Sequence, residues 1–210
     1  MYVPDAFAVT DEAQIEEALR SLRFGCLVTH DSGGLFATHM PFLYDAERRC
    51  LTGHMARANP HWERAGETTA LAVFQGAEAY ISPSWYPSKA EHGRVVPTWN
   101  YEAVHVYGRL AWRHDADWLV PHVTALTLRQ EASRAEPWAV SDAPADYVRT
   151  LARGIVGLEL AIDRVEAKRK LSQNRSEQDQ SGVIAGLSAS DQESDRTLAA
   201  AMSARRSPDE

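Results

Sequence analysis

Cationic excess is missing from this chain. Its 210 residues carry 22 Lys and Arg against 29 Asp and Glu, a formal net charge of -7. Proteins that grip duplex DNA usually present a basic face that displaces counterions from phosphates, so the composition argues against direct DNA contact. The densest basic run is Arg164 to Arg175, which includes Lys168, Arg169 and Lys170. Cysteine is scarce as well: Cys26 and Cys50 are the two present, both in expected strands, and they read as reduced, buried side chains. No apolar run approaches a membrane span, and Met1-Tyr-Val-Pro-Asp5 lacks a basic segment followed by an apolar one. The expectation is a cytoplasmic protein without a membrane partner. Cys and His at zinc spacing are absent, so no structural metal is expected. A serine in a glycine-rich elbow is absent too, which argues against a hydrolase. Neither an internal repeat, nor a long linker, nor a clear helix-turn-helix is visible.

What remains is the composition of a soluble globular domain, 44% hydrophobic and 24% charged, long enough to bury a real core. Ile15, Ala18, Leu19 and Leu22 form one stripe, predicting a helix over 11–22 with Asp11 as its cap. Strands follow in quick succession: 24–30, a turn at Asp31-Ser-Gly-Gly34, 35–44, and 50–54. Pro41 places an edge, bulge or bend in the second of these. Asn59 before Pro60 marks a short helix reaching Ala65. Further strands are predicted at 68–74, 78–82, 104–112 and 156–165, with helices after Ala116 and over 145–151. Helical propensity returns around 183–187 and 197–206, and the last dozen residues read as frayed. Many strands with short turns suggest an antiparallel barrel or sandwich.

The most unusual stretch is Tyr80-Ile-Ser-Pro-Ser-Trp-Tyr-Pro-Ser-Lys89, followed by Val96-Pro-Thr-Trp-Asn-Tyr101. Proline suits neither a helix interior nor a central strand, so the sequence predicts a stiff loop between two strands. Aromatic faces and hydroxyls on such a loop suit a flat ligand with polar edges; an interface is the competing reading. Two groups of donors could serve a phosphate. Arg57 and Asn59 precede one helix start, and Lys170, Ser172, Gln173, Asn174 and Arg175 lie late in the chain. His30, His39, His54 and His61 lie in or beside the first strands and make heme a second candidate cofactor.

Together these segments resemble the PaiB family of FMN-binding split-barrel proteins, labelled negative transcriptional regulators. The resemblance rests on Met1-Tyr-Val-Pro4, Ala37-Thr-His-Met-Pro-Phe42, Gly53-His-Met-Ala-Arg-Ala-Asn-Pro-His-Trp62, the two aromatic motifs, and Lys170-Leu-Ser-Gln-Asn-Arg175. It implies a mainly β, α+β fold: a six-stranded antiparallel split β-barrel with flanking helices, a homodimer, and FMN at the subunit interface. Residues 1–170 would form the barrel domain. Residues 171–210 would form a helical segment packed on the barrel or on the dimer partner. By the same resemblance, Thr38, His39, Met40 and Pro41 would run along the isoalloxazine. His54, Ala56, Arg57 and Asn59 would lie near the ribityl-phosphate tail. Tyr80, Ser82 and Trp85, with Trp99, Asn100 and Tyr101, would close the site. Lys170, Ser172, Gln173 and Asn174 are carried over as binding residues of undetermined contact.

Three functions follow as expectations. One is an FMN-binding regulator acting directly or through a partner. Another is an FMN-dependent oxidoreductase using a nicotinamide or a small-molecule substrate, with His39 or Tyr101 as proton donor. The third is a heme-binding or heme-degrading protein.

Overall fold

Alternation of apolar and polar side chains draws residues 24–45 into a hairpin, strands β2 (Phe24–Asp31) and β3 (Gly34–Asp45). They are in register from Phe24 opposite Pro41 to Asp31 opposite Gly34. Gly34 takes φ 102°, a value open to glycine at little cost, so the chain can reverse there. The structure is a computed structural model and describes residues 1–206. The other strands are β1 (Ala8–Val9), β4 (Cys50–Ala56), β5 (Thr68–Ile81), β6 (Thr98–Arg113) and β7 (Ile155–Lys170). Their order is β1-β7-β4-β3-β2-β5-β6, and a further β7–β6 pairing closes the six long strands into a barrel. The mapped ladders are antiparallel.

Pro41 sits where β3 changes partner. Pairing with β2 ends at Pro41, and pairing with β4 begins at Phe42 opposite Gly53. A residue without an N–H costs no ladder bond at such a handover. Gly53 suits this close approach, because a Cβ there would stand 2.6 Å from the Met40 methyl and 3.1 Å from the Pro41 carbonyl, so both would have to give way.

Helices α1 (Glu12–Ser21), α2 (His61–Ala65), α3 (Ser88–His92), α4 (Ala116–Glu131), α5 (Ala145–Ala152), α6 (Glu177–Ser188) and α7 (Glu193–Arg206) flank the strands. Asp11 caps α1 as expected, its Oδ1 accepting from the Gln14 N–H at 2.9 Å. Both cysteines are free. No described helix is long and apolar enough to cross a membrane.

Four expectations change. The strands expected at 68–74 and 78–82 are one strand of 14 residues, β5. Gln75 and Gly76 interrupt the apolar alternation without interrupting the backbone. Trp99, Asn100 and Tyr101 lie in β6, not in a loop; the stiff connection is Ser82 to Pro97 and contains α3. β7 continues to Lys170, so Lys170 ends a strand. The segment expected to fray from residue 199 is helical through Arg206, and residues 207–210 lie outside the described residues.

Close contacts divide the chain into two units, one of Met1–Ile15, Gln75–Val104 and Glu166 onward, the other of Glu16–Phe74 and His105–Val165. The first has its own core: Ala79, Ile81 and Tyr86 meet Leu171, Val183, Leu187, Leu198, Ala199 and Met202. The second is built on Leu27, Phe42, Leu51, Phe74, Val106, Leu110, Leu158 and Leu160. Within it the rings of Phe42 and Phe74 meet edge to face at 5.2 Å.

Candidate functional site

In the unit of Glu16–Phe74 and His105–Val165, one buried histidine organises the turn after β4. His61 is fully buried, with Nε2 bonded to the Thr29 hydroxyl and Nδ1 to the Thr38 hydroxyl, each at 2.8 Å. Asn59 completes the lock: its Nδ2 donates to Thr38 Oγ1 at 3.1 Å, and its Oδ1 accepts from the His61 N–H at 3.0 Å. Burial holds the His61 pKa below its ordinary value, with Arg64 adding to the effect, so the ring is neutral and one nitrogen must accept. Thr38 and Asn59 thus fix β3 against the turn.

Arg57 is anchored beside them. Its Nε donates to the Arg153 carbonyl at 2.8 Å and its Nη2 to the Ile155 carbonyl at 2.9 Å. Its Nη1 reaches His114 at 3.4 Å. Three of the five N–H bonds of a guanidinium are thereby used, which leaves two for an anion. His39 and Ala56 are exposed, Pro41 is half-buried, and Met40 belongs to the core.

In the unit of Met1–Ile15, Gln75–Val104 and Glu166 onward, Tyr80 and Trp99 each remain 48% exposed and meet edge to face at 6.2 Å. The Trp99 indole N–H is tied to the Glu78 carboxylate, so the ring has a fixed orientation with its surface open. Lys170 donates to the Trp99 carbonyl at 2.6 Å and to the Thr98 hydroxyl. Burial lowers the Lys170 pKa, and Lys168 and Arg175 push the same way. Two residues on, Ser172 takes φ 63° and accepts from Asn100 Nδ2 at 2.8 Å. The Lys170–Arg175 motif therefore pins the start of β6 at three successive residues, Thr98, Trp99 and Asn100.

Other expected site residues serve the fold. Gln173 accepts from the Leu171 N–H at 2.7 Å and donates to the Arg169 carbonyl, holding its own turn. Ser82 caps the Pro83–Trp85 turn through the Ser84 N–H at 3.2 Å. Trp85 lies against α6, where a Cβ on Gly186 would be 2.5 Å from its ring. Tyr101 is half-buried with the Lys168 ammonium 4.9 Å from its ring centre, and Asn174 is exposed.

Two groupings escaped sequence reasoning, which named His54 but neither its partner His122 nor Glu159. His54 Nδ1 and His122 Nε2 lie 3.1 Å apart, and His122 stacks on Trp118 at 5.1 Å. Glu159 is buried and binds Arg48, Arg113 and the Trp118 indole N–H. An acidic residue inside the apolar run Ile155–Ala161 was the available signal; the histidine pair had none. Of the four histidines weighed for heme, His61 has both ring nitrogens engaged, His54 one, and His30 and His39 are exposed.

Within the unit of Glu16–Phe74 and His105–Val165, the two spare guanidinium N–H bonds of Arg57 suit an anionic group. Within the other, the open faces of Tyr80 and Trp99 suit a planar one. The family model described as "Putative FMN-binding domain" matches residues 1–164. The chain is 36% identical over 191 residues to "Protease synthase and sporulation protein PAI 2" of Bacillus subtilis, covering 89% of each. Among solved structures it is similar to the flavocytochrome Anf3 of Azotobacter vinelandii, with TM-score 0.57 and 12% identity over 83% of this chain and 74% of that one. It is also similar to the FAD and heme binding protein of Mycobacterium smegmatis, with TM-score 0.56 and 18% identity over 78% and 73%. At those identities the two structures establish a shared split-barrel fold.

Proposed function

The chain belongs to the FMN-binding domain family and is a PaiB-type protein, and from that premise we propose how its own residues hold the flavin. The family match over residues 1–164 carries the reading, since it spans every segment invoked except Lys170–Asn174. Thr38 to Pro41 meet the polar edge of the isoalloxazine. The spare N–H bonds of Arg57 face the phosphate, with His54, Ala56 and Asn59 shaping the backbone around it. Tyr80 and Trp99 offer aromatic faces, held in place by Glu78 and by Lys170. Asn100 and Ser172 act as positioning residues, through the start of β6. When bound, FMN supplies one- and two-electron chemistry; the protein supplies orientation and electrostatics.

The protein works as a cytoplasmic homodimer in this reading, and any effect on transcription runs through flavin state or a partner protein. A net charge of -7 favours that route over direct DNA contact. A second reading, an FMN-dependent oxidoreductase, draws support from the half-exposed Tyr80 and Trp99, which leave surface for a nicotinamide or another flat substrate.

The visible spectrum of the purified protein, with and without added FMN, tests the proposal. Saturable uptake with a shifted flavin band is the expected result. A protein that leaves the spectrum of free FMN unchanged at high concentration would overturn it. Anaerobic NADH and NADPH then decide the second reading, which requires bleaching of the bound flavin.

A further inference from the structure

Outside the flavin segments, the outer face of four neighbouring strands carries a cavity of about 570 Å³. Strands β4, β7, β6 and β5 lie side by side in the closed sheet. Cys50, opposite Ala161, and Ala111 give the cavity a floor of small side chains. Arg48, Arg109, Arg113, Thr68 and Thr69 stand around it. Alternation explains the arrangement: Leu158, Leu160 and Leu110 point into the core, so Glu159, Ala161, Arg109, Ala111 and Arg113 point out.

Three guanidiniums meet two carboxylates, Glu67 and Glu159, in the lining. Glu159 does not repel an incoming anion. Both of its oxygens are already engaged, Oε1 by Arg48 and the Trp118 indole and Oε2 by Arg113. Those bonds outweigh its burial and hold its carboxyl below the ordinary carboxylate range. They also fix the planes of Arg48 and Arg113, each of which keeps further N–H bonds to offer. Arg109 is 79% exposed and, among the described residues, its ion pair is with Asp163 at 3.9 Å, a surface pair of little worth. Burial pushes the Cys50 thiol up, so the floor adds no negative charge.

We propose that this cavity binds a small oxyanion, a carboxylate or phosphate group, between the guanidiniums of Arg48, Arg109 and Arg113 and the outward-facing hydroxyl of Thr69. Planar guanidiniums bind such groups with paired charge-assisted bonds, and the small floor leaves room for the body of the ligand. None of its lining residues is among those proposed for FMN, so the two proposals are tested on different side chains.

The test is isothermal titration of the full chain with inorganic phosphate and, separately, malonate, at low ionic strength and with FMN in excess. Excess FMN keeps the flavin's own phosphate subsite filled. Saturable binding of either anion is expected, and Arg109→Gln should weaken it about tenfold, the worth of one charge-assisted bond. Thr69→Val, also at the rim, provides a second variant and should weaken binding in the same direction. Preference for phosphate assigns a phosphate-bearing ligand; preference for malonate assigns a carboxylate; equal binding assigns the oxyanion alone. Absence of saturable binding, or binding unaltered by both substitutions in variants that melt like the parent, would overturn the proposal.

Discussion

His54 and His122 share a single hydrogen bond, Nδ1 to Nε2, across 3.1 Å. One ring must donate and the other accept, so the contact exists in this form only while the accepting ring is neutral. Burial, with His54 as a smaller contributor, pushes the His122 pKa down to about 4. Burial lowers that of His54 as well.

The pair should therefore make stability depend on pH in mildly acidic solution. An unfolded histidine takes up its proton near pH 6.5, whereas folded His122 does so only near 4, so the unfolded chain binds more protons between these values. Stability is fully present above pH 6.5 and falls as the pH drops toward 4, by about 3 kcal/mol for His122 alone. Asp45, Asp117, Tyr44 and Arg48 line the cavity beside His122, and His54 and Trp118 touch its ring. Melting temperatures from pH 7 to 4 check this: His122→Gln should show a shallower slope than the parent. Parallel slopes would show that other groups dominate.

Trp99→Ala should weaken FMN binding by about tenfold, the loss of one stacked aromatic face. The same change should leave the melting temperature nearly unaltered, because the ring is half exposed. Trp138 is equally exposed and serves as the control. Its replacement by Ala should leave flavin affinity unchanged when both variants are titrated by flavin fluorescence.

Ser172 gives a prediction in which the smaller side chain is the milder change. Ser172→Ala removes the oxygen partner of the buried Asn100 amide, leaving it the weak acceptor Met202 Sδ at 3.8 Å, while keeping a Cβ at φ 63°, and should cost about 1–3 kcal/mol. Ser172→Gly loses the same bond but relieves the left-handed strain, recovering about 1 kcal/mol. Urea denaturation should rank the parent above Ser172→Gly and Ser172→Ala last.

Gly182 inverts the usual helix rule. Replacing an interior helical glycine by alanine ordinarily stabilises by up to about 1 kcal/mol. In α6 the added Cβ would stand 2.1 Å from the Trp85 carbonyl, a backbone atom that cannot move aside alone. Gly182→Ala should instead destabilise by about 1–3 kcal/mol, the range of overpacking. A gain in denaturation midpoint would show that the Pro83–Trp85 turn shifts freely.

How much of this was legible in the sequence depends on range. The β2–β3 hairpin, the Asp11 cap and the short helix before Ala65 rest on neighbouring residues, and simple periodicity finds them. Closure of the barrel depends on β6 meeting β7, a pairing that no local pattern encodes; it was expected through the family resemblance. Trp99 to Tyr101 read as loop because Pro97 and the proline-rich stretch precede them, yet strand pairing and Lys170 hold them extended. In the candidate site, Arg57, Asn59 and Lys170 were visible as donors. Their internal partners were not: Thr38 for Asn59, Arg153 and Ile155 for Arg57, and Thr98 and Trp99 for Lys170. Such partners are set by packing alone.

The core in which Leu198, Ala199 and Met202 cover Ala79, Ile81 and Tyr86 has a consequence for synthesis. Its first members leave the ribosome long before its last. Until α7 emerges, Ile81 and Tyr86 lack the apolar cover that these side chains provide. Non-local contacts of this kind slow closure and lengthen the time an apolar surface stays open to wrong partners. Holding that surface soluble during translation is work that falls to the cell.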